Sequence, residues 1–160
     1  MYILNQNVIE IYTDGSCHNN YNIGAWASIL LVANKKTIFK GTVQNTTHNR
    51  MELLAVIKAI EFSNENYKHS LLKIYTDSQY VFRIPERMEK LKKNNFHTKK
   101  GIPLHNNDLV QILIRQIEEN TIEFIKVKAH QKTESDNINY NTEVDKIARQ
   151  AVRDVVKNTY

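Results

Sequence analysis

Two stretches of this 160-residue chain repeat one pattern: Ile11-Tyr12-Thr13-Asp14-Gly15-Ser16 and Ile74-Tyr75-Thr76-Asp77-Ser78. Each is a run of β-branched and aromatic residues that stops at Thr-Asp, which predicts a strand ending in a carboxylate. An Asp after a strand is also an ordinary turn or N-cap residue. The repetition favours chemistry. If the two strands are parallel neighbours, both acids stand at the carboxyl edge of the sheet, where open α/β sheets hold their ligands. Bare carboxylates about 4 Å apart repel by roughly 4 kcal/mol at an effective dielectric near 20, so a sequence that gathers them usually supplies a cation.

Two further acids stand near the starts of expected helices. Glu52 is followed three, four and seven residues on by Ala55, Val56 and Ala59, so it heads a small, apolar face that would partly desolvate it. A first-turn Glu favoured by the helix dipole is the alternative. Asp145, in Thr142-Glu143-Val144-Asp145, is either a site residue or the third position of a capping box begun by Thr142.

The elements that must position these acids follow from periodicity. Strands are expected over residues 8–13, 25–32 and 37–43, the last two joined by a turn at Asn34-Lys35-Lys36. Thr46-Thr47 offers N-cap chemistry for a helix over 48–64 with a wide apolar face. A fourth strand is expected at 71–76, then helical structure over 78–93 broken near Pro85, then a polar loop over 92–107. Leu109, Ile112, Leu113 and Ile117 predict a helix over 107–119, residues 121–127 a fifth strand, and the stripe from Val144 to Val156 a final helix beginning near Thr142. An antiparallel opening followed by alternating strands and helices implies an α/β class: a five-stranded mixed sheet flanked by helices, parallel around strands 1, 4 and 5.

The length fits one domain over residues 1–160, able to bury roughly two thirds of its unfolded surface. The single Cys17 excludes an intrachain disulfide and a cysteine zinc site, which suits a reducing compartment. No apolar run spans a bilayer and no signal peptide is evident, so no membrane partner and a cytoplasmic location are expected. The net charge of +5 is local: residues 83–100 hold seven Lys and Arg against two Glu, while the rest balances at 15 against 15. A basic segment on a neutral body is the footprint of polyanion binding, or else a solvated helix face.

Taken together, Tyr12-Thr13-Asp14-Gly15-Ser16-Cys17, Thr46-Thr47-His48-Asn49-Arg50-Met51-Glu52-Leu53, Tyr75-Thr76-Asp77-Ser78-Gln79-Tyr80-Val81, Val127-Lys128-Ala129-His130 and Asn141 to Asp145 resemble ribonuclease H type 1, in order, spacing and surrounding element. The resemblance covers nearly the whole chain. It implies a ribonuclease H-like fold and a monomeric endoribonuclease that cuts the RNA strand of RNA/DNA hybrids, leaving 5′-phosphate and 3′-hydroxyl ends. It further implies that Asp14, Glu52, Asp77 and Asp145 hold two Mg²⁺ ions, or Mn²⁺, with Asp14 bridging, and that His130 shuttles protons or assists product release. Hard divalent cations take oxygen ligands, and a pair of them suits in-line phosphodiester hydrolysis.

The same resemblance assigns RNA-strand contacts to Cys17, Asn20, His48, Asn49 and Gln79. It places Asn141 near the metal site and a DNA phosphate pocket at Thr47 and Asn106. Lys90, Lys92 and Lys93 fall in a basic protrusion that grips the hybrid. Departures are His48 where Asn is usual, Asn45 where a basic residue is common, a protrusion poor in Trp, and a long loop over 131–140. An integrase-like or resolvase-like enzyme acting on DNA, a hybrid-binding module without catalysis and a detached reverse transcriptase domain are the alternatives.

Overall fold

The chain is described by a computed structural model over residues 7–128 and 139–160. In chain order the elements are β1 (Val8–His18), β2 (Ile23–Val32), β3 (Lys35–Val43), α1 (His48–Asn66), β4 (Leu71–Thr76), α2 (Gln79–Phe82), α3 (Ile84–Lys93), α4 (Asn107–Glu119), β5 (Thr121–Lys126) and α5 (Tyr140–Thr159). The strands form one mixed sheet in the order β3-β2-β1-β4-β5. β1 pairs antiparallel to β2 and β2 to β3, whereas β1–β4 and β4–β5 are parallel. The expected class and the parallel centre are both observed.

The expected end of the first strand is corrected. β1 runs on to His18 because β2 pairs with it along its whole second half, with Asp14 opposite Ala27 and His18 opposite Ile23. Its parallel ladder with β4 stops earlier, at Tyr12 opposite Tyr75. Asp14 therefore sits where β1 has lost its β4 neighbour but keeps β2. That leaves one side of the strand open at the sheet's carboxyl edge, as Asp77 is just past the end of β4. Other boundaries shift for local reasons, and the expected break near Pro85 is observed. Lys35 already pairs with Val32, so Ala33-Asn34 makes the turn, with Ala33 at φ 52°. Pro85 stands in the first turn of α3 and splits the helical stretch into α2 and α3, because that turn needs no amide donor. Asn139, not Thr142, caps α5 and accepts a hydrogen bond from the Thr142 amide. Asp145 thus lies a turn inside the helix, and the capping-box alternative falls; Asn141 is also inside the helix.

Side-chain alternation divides β1 between two cores. Ile9 and Ile11 join Leu30, Leu53, Val56, Ile60, Ile74 and Leu113 in the cluster beneath α1 and α4. On the opposite face Tyr12 packs against Ala27, Ile29, Val144 and Ala148 under α5. Tyr12 also stacks on Tyr75, ring centroids 4.5 Å apart. No helix among the described residues is long and apolar enough to cross a membrane.

At Gly15 the backbone of α1 lies directly against β1. A Cβ there would lie 2.5 Å from the Glu52 amide nitrogen and 2.6 Å from the Met51 carbonyl carbon. Both are backbone atoms, which cannot rotate away. Gly15→Ala is expected to push α1 off β1 and lower stability by about 1–3 kcal/mol, the usual cost of overpacking. Urea unfolding measures it, and an unchanged midpoint would show that α1 is not seated as tightly as described.

Candidate active site

Four elements converge on one cleft at the carboxyl edge of β1 and β4. Asp14 comes from β1, Glu52 from the second turn of α1, Asp77 from the residue after β4 and Asp145 from α5. All four line an open cleft of about 680 Å³, together with Cys17, His48, Asn49 and Gln79. One carboxylate oxygen from each of Asp14, Glu52 and Asp77 lies within 4.8 Å of the others. Thr47 starts α1 by accepting a hydrogen bond from the Arg50 amide, and this sets the helical phase that turns Glu52 inward. Ser78 does the same for α2, accepting from the Val81 amide and leaving Gln79 on the cleft wall.

These acids are buried as well as close. Asp14 is 4% exposed and Glu52 only 2%. Burial drives the Asp14 carboxyl well above the usual carboxylate range, and the charges of Glu52, Asp77 and Asp145 push it further. Glu52 is raised by burial too, against a lowering pull from His48. His48 Nε2 lies 3.1 Å from Glu52 Oε1, and this contact raises the imidazole's own pKa. Asp145 accepts from Arg149 Nε at 2.9 Å. Glu52 Oε2 is buried with no hydrogen-bond partner. A buried carboxylate oxygen normally has one, so this atom together with the all-oxygen donor set fits a hard divalent cation.

A second group forms beside α1. Arg50 donates to Asn106 Oδ1 at 3.3 Å and clasps Asp108 through two bonds of 3.0 and 2.9 Å. It thereby ties the start of α4 to α1. Asn106 adopts a left-handed backbone, φ 61°, and makes no capping bond to α4, so its side-chain oxygen is available to Arg50. Asn45, where a basic residue is common in the resembled pattern, also has positive φ, 53°. Asn tolerates that conformation better than Lys or Arg, which is a physical reason for the departure.

The remaining expected residues are spread more widely. Asn20 is exposed in the β1–β2 turn, and Asn141 is in the first turn of α5; neither lines the cleft. Lys90, Lys92 and Lys93 all fall in the last turn of α3. Lys92 is engaged already, donating to Glu118 on α4 at 2.9 Å. His130 and its loop over 131–138 lie outside the described residues. Three basic residues near the site carried no role in the sequence reading: Arg50, Arg149 and Lys126, whose Nζ donates to the Asp77 carbonyl at 2.7 Å. Arg149 had a signal in its spacing, four after Asp145 on a helix. Lys126 had none, because its neighbour is 49 residues away.

Comparison with known proteins places the fold and the family. A family profile described as RNase H matches residues 6–153. A protein named ribonuclease H from Thermoanaerobacter sp. (strain X514) is 36% identical over 151 residues, covering 93% of this chain and 92% of its own length. Another of that name, from Caldanaerobacter subterraneus subsp. tengcongensis, is 36% identical over 155 residues, covering 96% of each. Among solved structures the fold is similar to that of LC9-RNase H1, described as a type 1 RNase H with the type 2 active-site motif. The TM-score is 0.79 at 20% identity, over 94% of this chain and 74% of that one. The profile and the relatives cover nearly all of the sequence, and the chain belongs to the ribonuclease H family.

Proposed function

We propose that the chain hydrolyses the RNA strand of RNA/DNA hybrids as an endonuclease, with two Mg²⁺ or Mn²⁺ ions at the acid cluster, leaving 5′-phosphate and 3′-hydroxyl ends. Family membership makes it a metal-dependent nuclease. The observation that carries the finer reading is the packing of Asp14, Glu52 and Asp77 within 4.8 Å, with the buried Glu52 Oε2 unpartnered. When bound, such ions supply an activated water and stabilise the leaving oxygen.

The chain's own residues divide the remaining work. Asp14 is central, touched electrostatically by the other three acids, and would share in holding the metal with each of them. Glu52 and Asp77 hold the flanks, and Asp145, oriented by Arg149, closes the cluster. Cys17, His48, Asn49 and Gln79 share the cleft and face the strand being cut, where hydrogen bonds to 2′-hydroxyls tell RNA from DNA. Thr47 at the cap of α1 and Asn106, held by Arg50, take the part of contacts to a phosphate of the DNA strand. Lys90 and Lys93 on α3 add affinity that carries little sequence information. Asn20, Asn141, Lys92 and His130 keep the roles that the resemblance implies. We read the chain as one domain acting as a monomer in the cytoplasm, and the free thiol of Cys17 suits that compartment.

One labelled sequence offered as RNA/DNA, RNA/RNA and DNA/DNA duplexes tests the activity. Cleavage of RNA in the hybrid alone is expected, abolished by chelator. Asp77→Asn is expected to reduce the rate at least about a thousandfold, as losing several kcal/mol of transition-state stabilisation requires. A variant as active as the parent would remove Asp77 from the mechanism.

Metal binding should also be linked to protons. With the carboxyls of Asp14 and Glu52 raised, the metal-free folded state holds protons more tightly than the unfolded chain. Its stability therefore falls as pH rises from the ordinary carboxylate range into the raised one. Mg²⁺ must displace those protons, so its stabilising effect grows with pH, by up to about tenfold in apparent affinity per pH unit for each proton displaced. Thermal unfolding with and without Mg²⁺ should show a larger rise in Tm near pH ~8 than near pH ~6. Equal rises would mean that the carboxylates are already ionised without metal.

A further inference from the structure

Beyond the acid cluster a second groove, of about 640 Å³, opens between β3 and the outer face of α5. Its walls carry Lys40 from β3 and Lys146, Arg149 and Arg153 from α5, with Asp145 as its only acid. Lys146, Arg149 and Arg153 recur at three and four residues, so they share one helix face. The opposite face of α5 is anchored by Val144, Ala148, Ala151 and Val152, which keeps the basic face outward. Lys40, Lys146 and Arg153 are exposed, and none takes part in an ion pair among the described residues. The neighbouring Lys36 is different, being spent on Glu143. Asp154, the nearest further acid in sequence, accepts a hydrogen bond from Gln150.

This groove continues the active cleft. Asp145 and Arg149 line both, so the groove adjoins the place where a strand would lie over the acids. It also lies on the far side of the acids from the basic segment of α3. α5 packs on β1, β2 and β3, whereas α3 packs on α4, which packs on α1 and β5. From Asp145 to Arg153 the helix rises about 12 Å, close to three nucleotides at about 3.4 Å each along a duplex axis.

We propose that the β3–α5 groove holds the sugar-phosphate backbone of the RNA strand as it leaves the acid cluster, with Lys40, Lys146 and Arg153 neutralising successive phosphates. This rests on the reading of the cleft as the place where the RNA strand of a hybrid is cut. The strand whose phosphate sits on the acids is the one that runs on into a contiguous groove, and a wall of cations with one acid suits a polyanion and no other part of the substrate.

The test is hybrid binding as a function of salt, in an Asp77→Asn background at fixed Mg²⁺, with and without Lys40→Ala, Lys146→Ala and Arg153→Ala combined. Arg149 is left intact because it orients Asp145. Three lost phosphate contacts should flatten the slope of log affinity against log salt by about 2 to 3. The charge-conserving set Lys40→Arg, Lys146→Arg and Arg153→Lys should restore it, and this separates charge from folding. Neutral methylphosphonate linkages placed in the RNA strand beside the cut should weaken the parent and not the triple variant, whereas in the DNA strand they should affect both alike. The protein with Asp77 intact is assayed for cleavage in parallel. Normal cleavage with an unchanged slope overturns the groove alone. No hybrid cleavage overturns the underlying reading, and the strand assignment with it.

Discussion

The structure depends on crowding negative charge where water is scarce. Asp14 and Glu52 are almost fully buried within reach of Asp77, and the cations beside them among the described residues are the exposed imidazole of His48, the guanidinium of Arg149 and the ammonium of Lys126. Without a cation such a cluster opposes folding, so the scaffold around it has to be rigid enough to hold the acids together. That rigidity comes from apolar packing on both faces of β1 and from the seating of α1 against Gly15, where no side chain intervenes. Site and core meet within one residue of each other.

Much of this was legible in the chain itself. The doubled Tyr-Thr-Asp announced two strands, and their parallel pairing through Tyr12 and Tyr75 brought the acids together as expected. α4 falls on the expected residues because its apolar spacing is strict and Asn120 follows its end. What local pattern could not show was pairing that overrides a local stop. Thr13-Asp14-Gly15 looks like a strand end, yet β1 continues because β2 lies alongside it. The cap of α5 was misplaced for a related reason. Asn139 and Thr142 are both good caps, and only the helix as built shows which side chain accepts the bond.

Charge was the least legible property. The segment over 83–100 stood out because its basic residues are adjacent in sequence, but Lys92 is paired with an acid 26 residues away and is less available than its neighbours. The basic wall on α5 was invisible for the opposite reason. Its residues are spaced along a helix with Glu143, Asp145 and Asp154 around them, so they form no block, and Lys40 joins them from more than a hundred residues away. Linear charge counts see blocks, and surfaces are made by folding. Arg50 illustrates a third case: the guanidinium that grips Asp108 through two bonds also holds Asn106, and the two residues lie at the start of a helix 56 and 58 residues away.

The four acids come from positions 14, 52, 77 and 145, and the last of them rides on the last helix, which docks across β1, β2 and β3. A chain emerging from the ribosome therefore exposes three of the carboxylates before the fourth exists. Until α5 has been made and laid over the sheet, the cluster is incomplete and one wall of the cleft is missing. The fourth carboxylate and the basic groove beside it therefore arrive together, in the one step that lays α5 over the sheet.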